Sequence, residues 1–462
     1  KVFCKIYLPS TSNSKNQQNL SKVVIIGNGI AGITAARHIR KNSDHEIVVI
    51  SGESSHFFSR TALMYIYMGH MRWNDIKPYE DWFWTKNRID LVEDWVISID
   101  YQKKSIDTKS GKAISYDKLI LALGSKPNKF GWPGQDLKAV QGLYSKQDLE
   151  SLEEITASTK QAVIVGGGLI GVELAEMLLS RGIKVTFLVR EKKFWSNVLP
   201  MQEADLISRH IRKHHVDLRF ETELAEIIGD GNGRADGVIT KSGERIPCQF
   251  VGLTAGVSPN IDLVKNSELE TKNGILINTF FETNVADVYS IGDCAQFSEP
   301  VAGRRALEQV WYTGRIMGET LAQTICGNRK AYNPGPWFNS AKFFDIEYQT
   351  YGIVNPTLSE TEIEFYWEHS SGEKCIHLVW DKNTGIFKGI NTFGIRMRHE
   401  LFDQWLRKNA LIDDVMMNLR AANFDPEFYA HHEHEILESF NRVSGKNIQL
   451  KPKTWWRNLL NA

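Results

Sequence analysis

Two glycine-rich motifs in this chain have the residue types and spacing of a dinucleotide-binding turn. The first spans residues 27–32 (GNGIAG) and the second spans residues 166–171 (GGGLIG). In such a motif the first glycine allows a tight turn, the second lets the backbone approach a pyrophosphate, and the third permits close packing of helix on strand. The N–H groups that open the helix then face the phosphate oxygens. Each motif therefore predicts one dinucleotide site.

The segments around both motifs supply the elements that such a site needs. Apolar strands are predicted at residues 23–26 and 162–165, and a helix of small and apolar residues follows each motif. Glycine-rich turns also occur for purely structural reasons, so one match alone would carry little weight. Two matches, each between a strand and a helix, favour a protein that holds two dinucleotides at once.

An acidic residue follows the second strand of the first unit at a suitable distance. The strand is predicted at residues 47–50, and Glu53 comes 21 residues after Gly32. A carboxylate about 20 residues beyond the motif commonly hydrogen-bonds a ribose hydroxyl. We therefore expect Glu53 to contact the ribose of the first dinucleotide.

Length and charge narrow the class of protein. The chain has 462 residues, with 55 basic and 55 acidic side chains, so no bulk field attracts nucleic acid. No apolar run approaches the roughly 20 residues of a membrane helix, and no secretory core opens the sequence. We expect a cytoplasmic enzyme of about three domains, with no nucleic-acid partner and no transmembrane segment.

The cysteines are few and scattered. None forms a Cys-x-x-Cys or other close pair, which indicates neither a disulfide framework nor a zinc or iron–sulfur site. We therefore expect no resident metal. The five positions are Cys4, Cys248, Cys294, Cys326 and Cys375.

The order of predicted elements indicates an α/β fold with two three-layer, Rossmann-like dinucleotide-binding domains, an α+β C-terminal domain and a helical extension. A buried strand at residues 116–127 and a strand that ends at Gly292 and Asp293 both return to the first unit, which makes the first domain discontinuous. The predicted units are a flexible leader (1–21), the first dinucleotide domain (22–148 and 272–331), the second dinucleotide domain (149–271), a sheet and interface domain (332–395) and a helical extension (396–462).

These landmarks resemble the two-dinucleotide-binding flavoproteins of the pyridine nucleotide-disulfide reductase superfamily. The resemblance covers roughly residues 22–355 and is strongest to ferredoxin or rubredoxin reductases and to the flavin portion of assimilatory nitrite reductases. It rests on both glycine motifs, the strand at 116–127 and the Gly292-Asp293 element. The resemblance implies FAD at the first motif and NAD(P)H at the second.

The resemblance also implies roles for individual residues. Arg60 lies in a segment similar to the family's aromatic-x-Arg-Pro stretch near the flavin, with Thr61 in place of the proline, and it would steady FAD phosphate or reduced-flavin charge. Trp311 would cover the flavin ring, with core packing as the alternative; apart from these two candidates no catalytic residue is expected. Leu123 stands where threonine is usual, but the glycine turn after it is kept. The expected FAD residues are Gly27, Gly29, Ile30, Ala31, Gly32, Glu53, Arg60, Ala122, Gly124, Gly292 and Asp293.

The second motif resembles the nicotinamide site of the same family. Val189 stands where an NAD-selective site normally has an acid, and Arg190 follows, which slightly favours the 2′-phosphate of NADPH. Glu191 is an acid at the same place, so NADH is also a possible nucleotide. The alternative interpretation of this segment is a solvated basic turn without a role in binding. The expected NAD(P)H residues are Gly166, Gly168, Leu169, Ile170, Gly171, Glu173 and Arg190.

The sequence lacks the cysteine pair of dithiol reductases at the expected places, and Cys294 is interpreted as a small buried residue. Hydride transfer between two aligned cofactors needs no protein nucleophile. The resemblance implies that electrons go on to a small iron–sulfur or rubredoxin-type protein. The alternatives are an NAD(P)H oxidase, a soluble-carrier reductase, or a flavin-binding subunit of a larger redox complex that has lost turnover.

The C-terminal region offers weaker signals. His431 and His434 share a side of a predicted helix, but metal binding there is not expected. The aromatic segment 453–460 could dock a partner or a membrane surface. By resemblance, the C-terminal region is the natural interface for a homodimer or for assembly into a complex.

Overall fold

The computed structural model describes residues 20–425 and 427–451. Two of the predictions above therefore lie outside the described residues: nearly all of the leader, and the aromatic segment 453–460. In the described part, no helix is long and apolar enough to cross a membrane.

The helices are α1 (Ile30–Asn42), α2 (Leu63–Tyr67), α3 (Asp81–Lys86), α4 (Lys146–Thr156), α5 (Leu169–Ser180), α6 (Met201–Lys213), α7 (Trp311–Ile325), α8 (His399–Arg407), α9 (Ile412–Met417), α10 (Leu419–Ala422) and α11 (Glu433–Ser444).

The strands form two five-stranded parallel sheets, with smaller antiparallel sheets beside them, in the first two thirds of the chain and a five-stranded antiparallel sheet in the last third. They are β1 (Lys22–Ile26), β2 (Glu46–Ser51), β3 (Ile89–Glu93), β4 (Val96–Asp100), β5 (Ser105–Thr108), β6 (Ala113–Ser115), β7 (Lys118–Leu121), β8 (Ser125–Pro127), β9 (Val140–Gln141), β10 (Gln161–Val165), β11 (Lys184–Leu188), β12 (Asp217–Arg219), β13 (Leu224–Gly229), β14 (Ala235–Thr240), β15 (Arg245–Pro247), β16 (Phe250–Leu253), β17 (Val257–Pro259), β18 (Ile275–Ile277), β19 (Val288–Ser290), β20 (Ala295–Phe297), β21 (Phe338–Phe343), β22 (Ile346–Gly352), β23 (Glu362–Glu368), β24 (Cys375–Asp381) and β25 (Phe387–Phe393).

The first parallel sheet has the strand order β19-β7-β1-β2-β3 and is covered on both faces. Because side chains alternate along a strand, Val23 and Ile25 of β1 face α1 and α7. Val24 and Ile26 face the opposite layer, which contains the small antiparallel sheet β4-β5-β6. The unbroken apolar run of β1 is therefore what a strand buried on both faces requires.

The second parallel sheet repeats this architecture with the strand order β12-β11-β10-β16-β9. Ala162 and Ile164 of β10 pack toward the helical layer with α5 and α6. Val163 and Val165 pack toward the antiparallel sheet β13-β14-β15. The prediction of an α/β fold with two three-layer units is confirmed.

The C-terminal region is a five-stranded antiparallel sheet, β21-β22-β25-β24-β23, between two apolar layers. One face packs on the second nucleotide-binding unit through side chains such as Phe343 and Phe393. The other face is covered by helices α8 to α11, with Phe402 and Phe440 in the core. The chain thus covers both faces of this sheet with its own residues.

Two details differ from the sequence prediction. The strand predicted to end at Gly292 and Asp293 ends at Ser290, and these two residues begin a single 3-10 turn at Gly292–Cys294, which strand β20 follows. Strand β9 pairs with β16 and so joins the second sheet, although it precedes residue 149.

Candidate functional site

A cavity of about 810 Å³ opens at the carboxyl edge of the first parallel sheet, where β1, β2, β7 and β19 end. Ligands of open α/β sheets bind outside the carboxyl ends of the strands. The N-terminal turn of α5, from the second unit, also lines this cavity. The predicted residues that line the cavity are Gly27, Gly29, Ile30, Ala31, Glu53, Arg60, Ala122, Gly124, Gly292, Asp293 and Trp311, together with Leu169, Ile170 and Glu173.

The first glycine motif has the backbone geometry that a pyrophosphate site requires. Gly27 has a φ of +110°, and a Cβ there would lie 2.1 Å from the carbonyl oxygen of Ala122. At Gly29, the N-cap of α1, a Cβ would meet nothing within 4 Å, so this side of the backbone is open to the cavity. The first N–H groups of α1 have no partner within the helix. These residues fit the phosphates of a dinucleotide.

The third glycine of the first motif has a packing role. A Cβ at Gly32 would lie 2.1 Å from the carbonyl oxygen of Gly27, and Gly32 does not line the cavity. The motif therefore places two glycines at the cavity and uses its last glycine to bring α1 against the turn.

The second motif repeats this geometry. Gly166 has a φ of +115°, and a Cβ there would lie 2.6 Å from the carbonyl oxygen of Thr254. Gly168 is the N-cap of α5 and is open on its Cβ side, whereas a Cβ at Gly171 would lie 2.5 Å from the ring of Phe187. These three glycines do not line the 810 Å³ cavity. In both motifs, therefore, the first glycine forms a turn with a positive φ, the second leaves its Cβ side open, and the third allows close packing.

Glu53 and Arg60 lie together on the cavity wall. The guanidinium donates two hydrogen bonds to the Glu53 carboxylate, at 2.7 and 2.6 Å, and a third to the carbonyl oxygen of Tyr144 at 2.6 Å. The backbone N–H of Lys146, at the start of α4, also donates to Glu53 at 3.0 Å. The two predicted ligands of FAD therefore hold each other in place.

Asp293 belongs to a polar cluster at the same wall. Its carboxylate accepts hydrogen bonds from Ser125 Oγ at 3.0 Å and from the Tyr144 hydroxyl at 3.4 Å. Gln309 donates to Ser125 Oγ at 2.6 Å. Burial raises the pKa of Asp293, and burial together with the Asp293 charge raises the pKa of Tyr144 to about 12. The cluster presents fixed hydrogen-bonding groups to the cavity.

Glu173 brings an acid from the second unit to the cavity. It lies on α5, one turn after Leu169 and Ile170, which line the same space. Burial, and secondarily the charge of Glu176, raises the pKa of Glu173 to about 7. Such a carboxyl group exchanges a proton near neutral pH.

Trp311 begins α7 and lines the cavity. Its ring makes an edge contact with Tyr312 at 5.3 Å between centroids. The side chain is only half-buried and lies outside the fully buried core. Trp311 therefore lies at the cavity wall, and its predicted role over the flavin ring stays a prediction.

Arg190 lies away from the cavity, two residues after the end of β11. Its side chain is 74% exposed and pairs with Glu191 at 3.0 Å, while Lys193 pairs with Asp205 at 2.6 Å. Val189 is fully buried and fills the space beside Gly167. An exposed cation therefore lies beyond the strand end, where the apolar side chain of Val189 cannot accept a hydrogen bond from a ribose.

Cys294 is fully buried, and its sulfur accepts a hydrogen bond from the backbone N–H of Leu123 at 3.2 Å. Burial raises the pKa of this thiol, which disfavours the nucleophilic thiolate.

The two histidines singled out in the C-terminal region have separate partners. His434 contacts Arg420, and His431 contacts Glu433.

The sequence of the chain matches a known family across the region that builds this cavity. Residues 21–317 match the family model described as pyridine nucleotide-disulphide oxidoreductase. The chain belongs to this family. The predicted resemblance to its superfamily is thereby confirmed.

Individual relatives carry the likeness further along the chain. It is 28% identical over 394 residues to the assimilatory nitrate reductase electron transfer subunit of Bacillus subtilis, covering 84% of this chain and 49% of that protein. It is 27% identical over 308 residues to the rubredoxin-NAD(+) reductase of Ectopseudomonas oleovorans, covering 66% and 80%. The chain thus spans about half the length of the first relative and most of the second.

A solved structure supports the fold. A ferredoxin reductase from Rhodopseudomonas palustris superposes with a TM-score of 0.73 at 23% identity, covering 81% of this chain and 91% of that one. At this identity the likeness concerns the architecture alone.

Several cavity residues of this family member were missed by the sequence analysis. Tyr144 and Gln309 lie in loops without a motif, and only the structure brings them to Asp293. Ser125 directly follows the predicted turn at Gly124, and this adjacency was a usable signal. Trp95 lines the cavity beside Gly52, and a Cβ at Gly52 would lie 2.1 Å from its indole ring.

Proposed function

We propose that the protein is an FAD-dependent oxidoreductase that accepts hydride from NAD(P)H and passes electrons to a small iron–sulfur or rubredoxin-type protein. One observation carries this proposal: residues of both glycine motifs line the same cavity. Ile30 and Ala31 come from the first motif, and Leu169 and Ile170 come from the second. Transfer between two cofactors requires their reactive rings to meet, and a shared cavity allows this.

Bound FAD would accept a hydride from the nicotinamide and release electrons singly or in pairs. The protein's part is to bind, orient and exclude water. The open backbone at Gly29 and the first turn of α1 would hold the pyrophosphate. Asp293, with Ser125 and Tyr144, would bind hydroxyl groups of the ribityl chain.

The remaining cavity residues are proposed to orient the rings. Arg60 would place positive charge at the wall, fixed by Glu53, and Trp311 would cover one ring face. Leu169 and Ile170 would exclude water from the meeting point of the two cofactors. None of these residues is assigned as a general acid or base, since hydride transfer needs none.

We further propose that the nicotinamide site favours NADPH. Arg190 is exposed and could exchange its pair with Glu191 for a 2′-phosphate, with Lys192 beside it in the sequence. Guanidinium groups pair with phosphates through strong, charge-assisted hydrogen bonds. Glu191 opposes this preference, because it neutralises Arg190 and could itself accept the ribose hydroxyls of NADH.

The proposed acceptor rests on the relatives. The chain covers 80% of a rubredoxin-NAD(+) reductase, and its other named relative is an electron transfer subunit. Both names describe electron transfer, and the first names rubredoxin, which is the basis for proposing a small redox protein as the acceptor. The competing acceptors are oxygen and a soluble carrier. The remaining alternative is a flavin-binding subunit of a larger complex that has no turnover.

Anaerobic stopped-flow reduction tests the proposal. FAD-reconstituted protein is mixed separately with NADPH and NADH, and bleaching of the visible flavin absorption is followed. We expect rapid bleaching, faster with NADPH, and then reoxidation by added rubredoxin or ferredoxin. No bleaching by either nucleotide would favour the subunit without turnover, and rapid oxygen consumption without a carrier would favour an oxidase.

The C-terminal region is proposed to carry any assembly with a second copy or a larger complex. Phe424 and Phe428, between α10 and α11, are 47% and 83% exposed. Light scattering after gel filtration, with Phe428→Ser as the variant, tests this: the variant should shift an oligomer toward the monomer. If the wild-type protein is a monomer, the proposal that this region joins two copies of the chain is wrong.

A further inference from the structure

Two histidines and an aspartate converge on one point that the cavity does not include. His210 lies on α6 and His214 follows one turn later at the end of that helix, so both rings project from the same face. Asp345 lies in the two-residue turn between β21 and β22, opposite this face. The three side chains therefore come from the second nucleotide-binding unit and the C-terminal sheet.

The ligand-type atoms of the cluster are close together. His210 Nε2 lies 2.6 Å from Asp345 Oδ1, His214 Nε2 lies 3.2 Å from the same oxygen, and the two Nε2 atoms are 3.2 Å apart. A triangle with these sides has a circumscribed radius of about 1.8 Å, which is shorter than the roughly 2.0–2.1 Å of a Zn–N bond. A position at bonding distance from all three atoms therefore exists without moving any of them.

Packing fixes the ligand directions on the helix side. The ring of His214 stacks on Phe344 at 4.2 Å with an interplanar angle of 5°, and His210 contacts the same ring edge-on. Phe344 has a φ of +56°, a conformation that costs energy for a bulky residue and persists only when its surroundings hold it. This turn places Asp345 beside the histidines.

The cluster is open to solvent on the side of Asp345, so a metal ion can enter and a fourth ligand can bind it. The side chain of His210 is 1% exposed, that of His214 is 34% exposed, and that of Asp345 is 70% exposed. Lys213, which precedes His214 in the sequence, is paired with Glu373 and so adds little repulsion for a cation. Water can reach the open side, as in zinc sites with three protein ligands.

We propose that His210, His214 and Asp345 bind one divalent transition-metal ion of the zinc class, which joins α6 to the C-terminal sheet. Imidazole and carboxylate together suit zinc, cobalt and nickel. The start of α6 already contacts this sheet, because Asn391 donates to the buried carboxylate of Glu203 at 2.9 Å. The metal fixes the other end of the same helix.

Cobalt binding to the full-length, tag-free protein tests the proposal. After treatment with a chelator, the protein is titrated with Co²⁺ at pH 7.5 and followed by the visible absorption of four-coordinate cobalt. We expect one bound Co²⁺ per chain, displaced by Zn²⁺. Asp345→Asn and His214→Ala should each weaken binding by about tenfold or more.

Control variants make the result decisive. Asp345→Asn changes an exposed side chain and keeps its shape, so the fold should survive, which circular dichroism checks. His432→Ala alters a second group of nearby ligand atoms, formed by His369, His432 and Glu435, and should leave the cobalt spectrum unchanged. The proposal is overturned if wild type gives no such spectrum, if Asp345→Asn binds as wild type does, or if His432→Ala abolishes binding.

Discussion

The guanidinium of Arg60 and the carboxylate of Glu53 form a two-point ion pair across seven residues, at 2.7 and 2.6 Å. Arg60 also lies over the ring of Tyr144, at 4.6 Å from its centroid. The pair joins the loop after β2 to the turn before α2. Arg60 also donates to the Tyr144 carbonyl and Glu53 accepts from the Lys146 N–H, which ties the pair to the start of α4. Both side chains are largely buried. A positioned charge of this kind can act on a bound ligand only while its partner holds it.

Arg60→Lys should therefore weaken both the fold and flavin binding. Lysine cannot form the two-point bond, and we expect the free energy of unfolding to fall by about 1–3 kcal/mol. Denaturant unfolding measures this, with FAD retention on gel filtration as the second readout. Arg72→Lys is the matched control, because its pair with Asp75 is exposed on the surface and should contribute little. If both variants lose the same stability and retain FAD equally, the Arg60–Glu53 pair has no special role in the fold or in flavin binding.

The glycine motif gives a prediction that separates folding from binding. Gly27→Ala meets a carbonyl oxygen and a positive φ, so it should cost about 2–4 kcal/mol of stability. Gly29→Ala meets no protein atom and should leave the fold intact. If phosphate approaches at Gly29, this variant should still lose FAD affinity by about tenfold or more. Full FAD retention by well-folded Gly29→Ala would place the pyrophosphate elsewhere.

Gly168→Ala is the corresponding change in the second motif, where the Cβ side is also open. It should keep the FAD absorption spectrum and raise KM for NAD(P)H by about tenfold or more. Steady-state kinetics with both nucleotides checks this. Loss of FAD from this variant would show that the two sites are not separate.

The sequence was sufficient to predict elements with local signals. Strand β1 was predicted because a strand buried on both faces is apolar without interruption, and α1 because a glycine turn precedes small residues. The fold class followed from the repetition of this pattern. Local signals of this kind depend on neighbouring residues, and the sequence displays those directly.

Contacts between distant segments could not be predicted in the same way. Tyr144 reaches Asp293 across 149 residues, and Asp345 reaches His210 across 135. No pattern near Tyr144 or Asp345 marks these meetings, since they arise from how separate sheets pack. The Glu53–Arg60 pair escaped prediction for a related reason: each residue was assigned to a ligand, and their mutual charge attraction was not considered.

Arg190 should decide the nucleotide preference. Arg190→Ala should raise KM for NADPH by about tenfold, since a charge-assisted hydrogen bond to the 2′-phosphate is lost, and should leave KM for NADH nearly unchanged. Glu191→Gln should lower KM for NADPH, because it releases Arg190 from its pair. Arg245→Ala is the control, because Arg245 on β15 is also an exposed arginine that pairs with an acidic side chain. Parallel changes for both nucleotides would contradict a role in 2′-phosphate binding.

Glu173 should make stability depend on pH near neutrality. Its native pKa of about 7 lies above the ordinary value of 4.5, so between these values the native state binds more protons than the unfolded state. The free energy of unfolding therefore falls as pH rises through this window, and the loss is complete above pH 7. Glu173→Gln should remove this dependence, which amounts to about 1–3 kcal/mol at 1.36 kcal/mol per pKa unit.

Denaturant unfolding at pH 4.5, 6 and 8 measures the effect, and we expect Glu173→Gln to exceed wild type in stability only at the higher pH values. Glu176→Gln is the companion variant, because the Glu176 charge is the second cause of the raised pKa. Removing this charge should move the pH window downward without abolishing it, since burial remains the larger cause. An unchanged pH profile in Glu173→Gln would mean that Glu173 titrates in its ordinary range, and the carboxyl group would then be ionised whenever NAD(P)H binds at neutral pH.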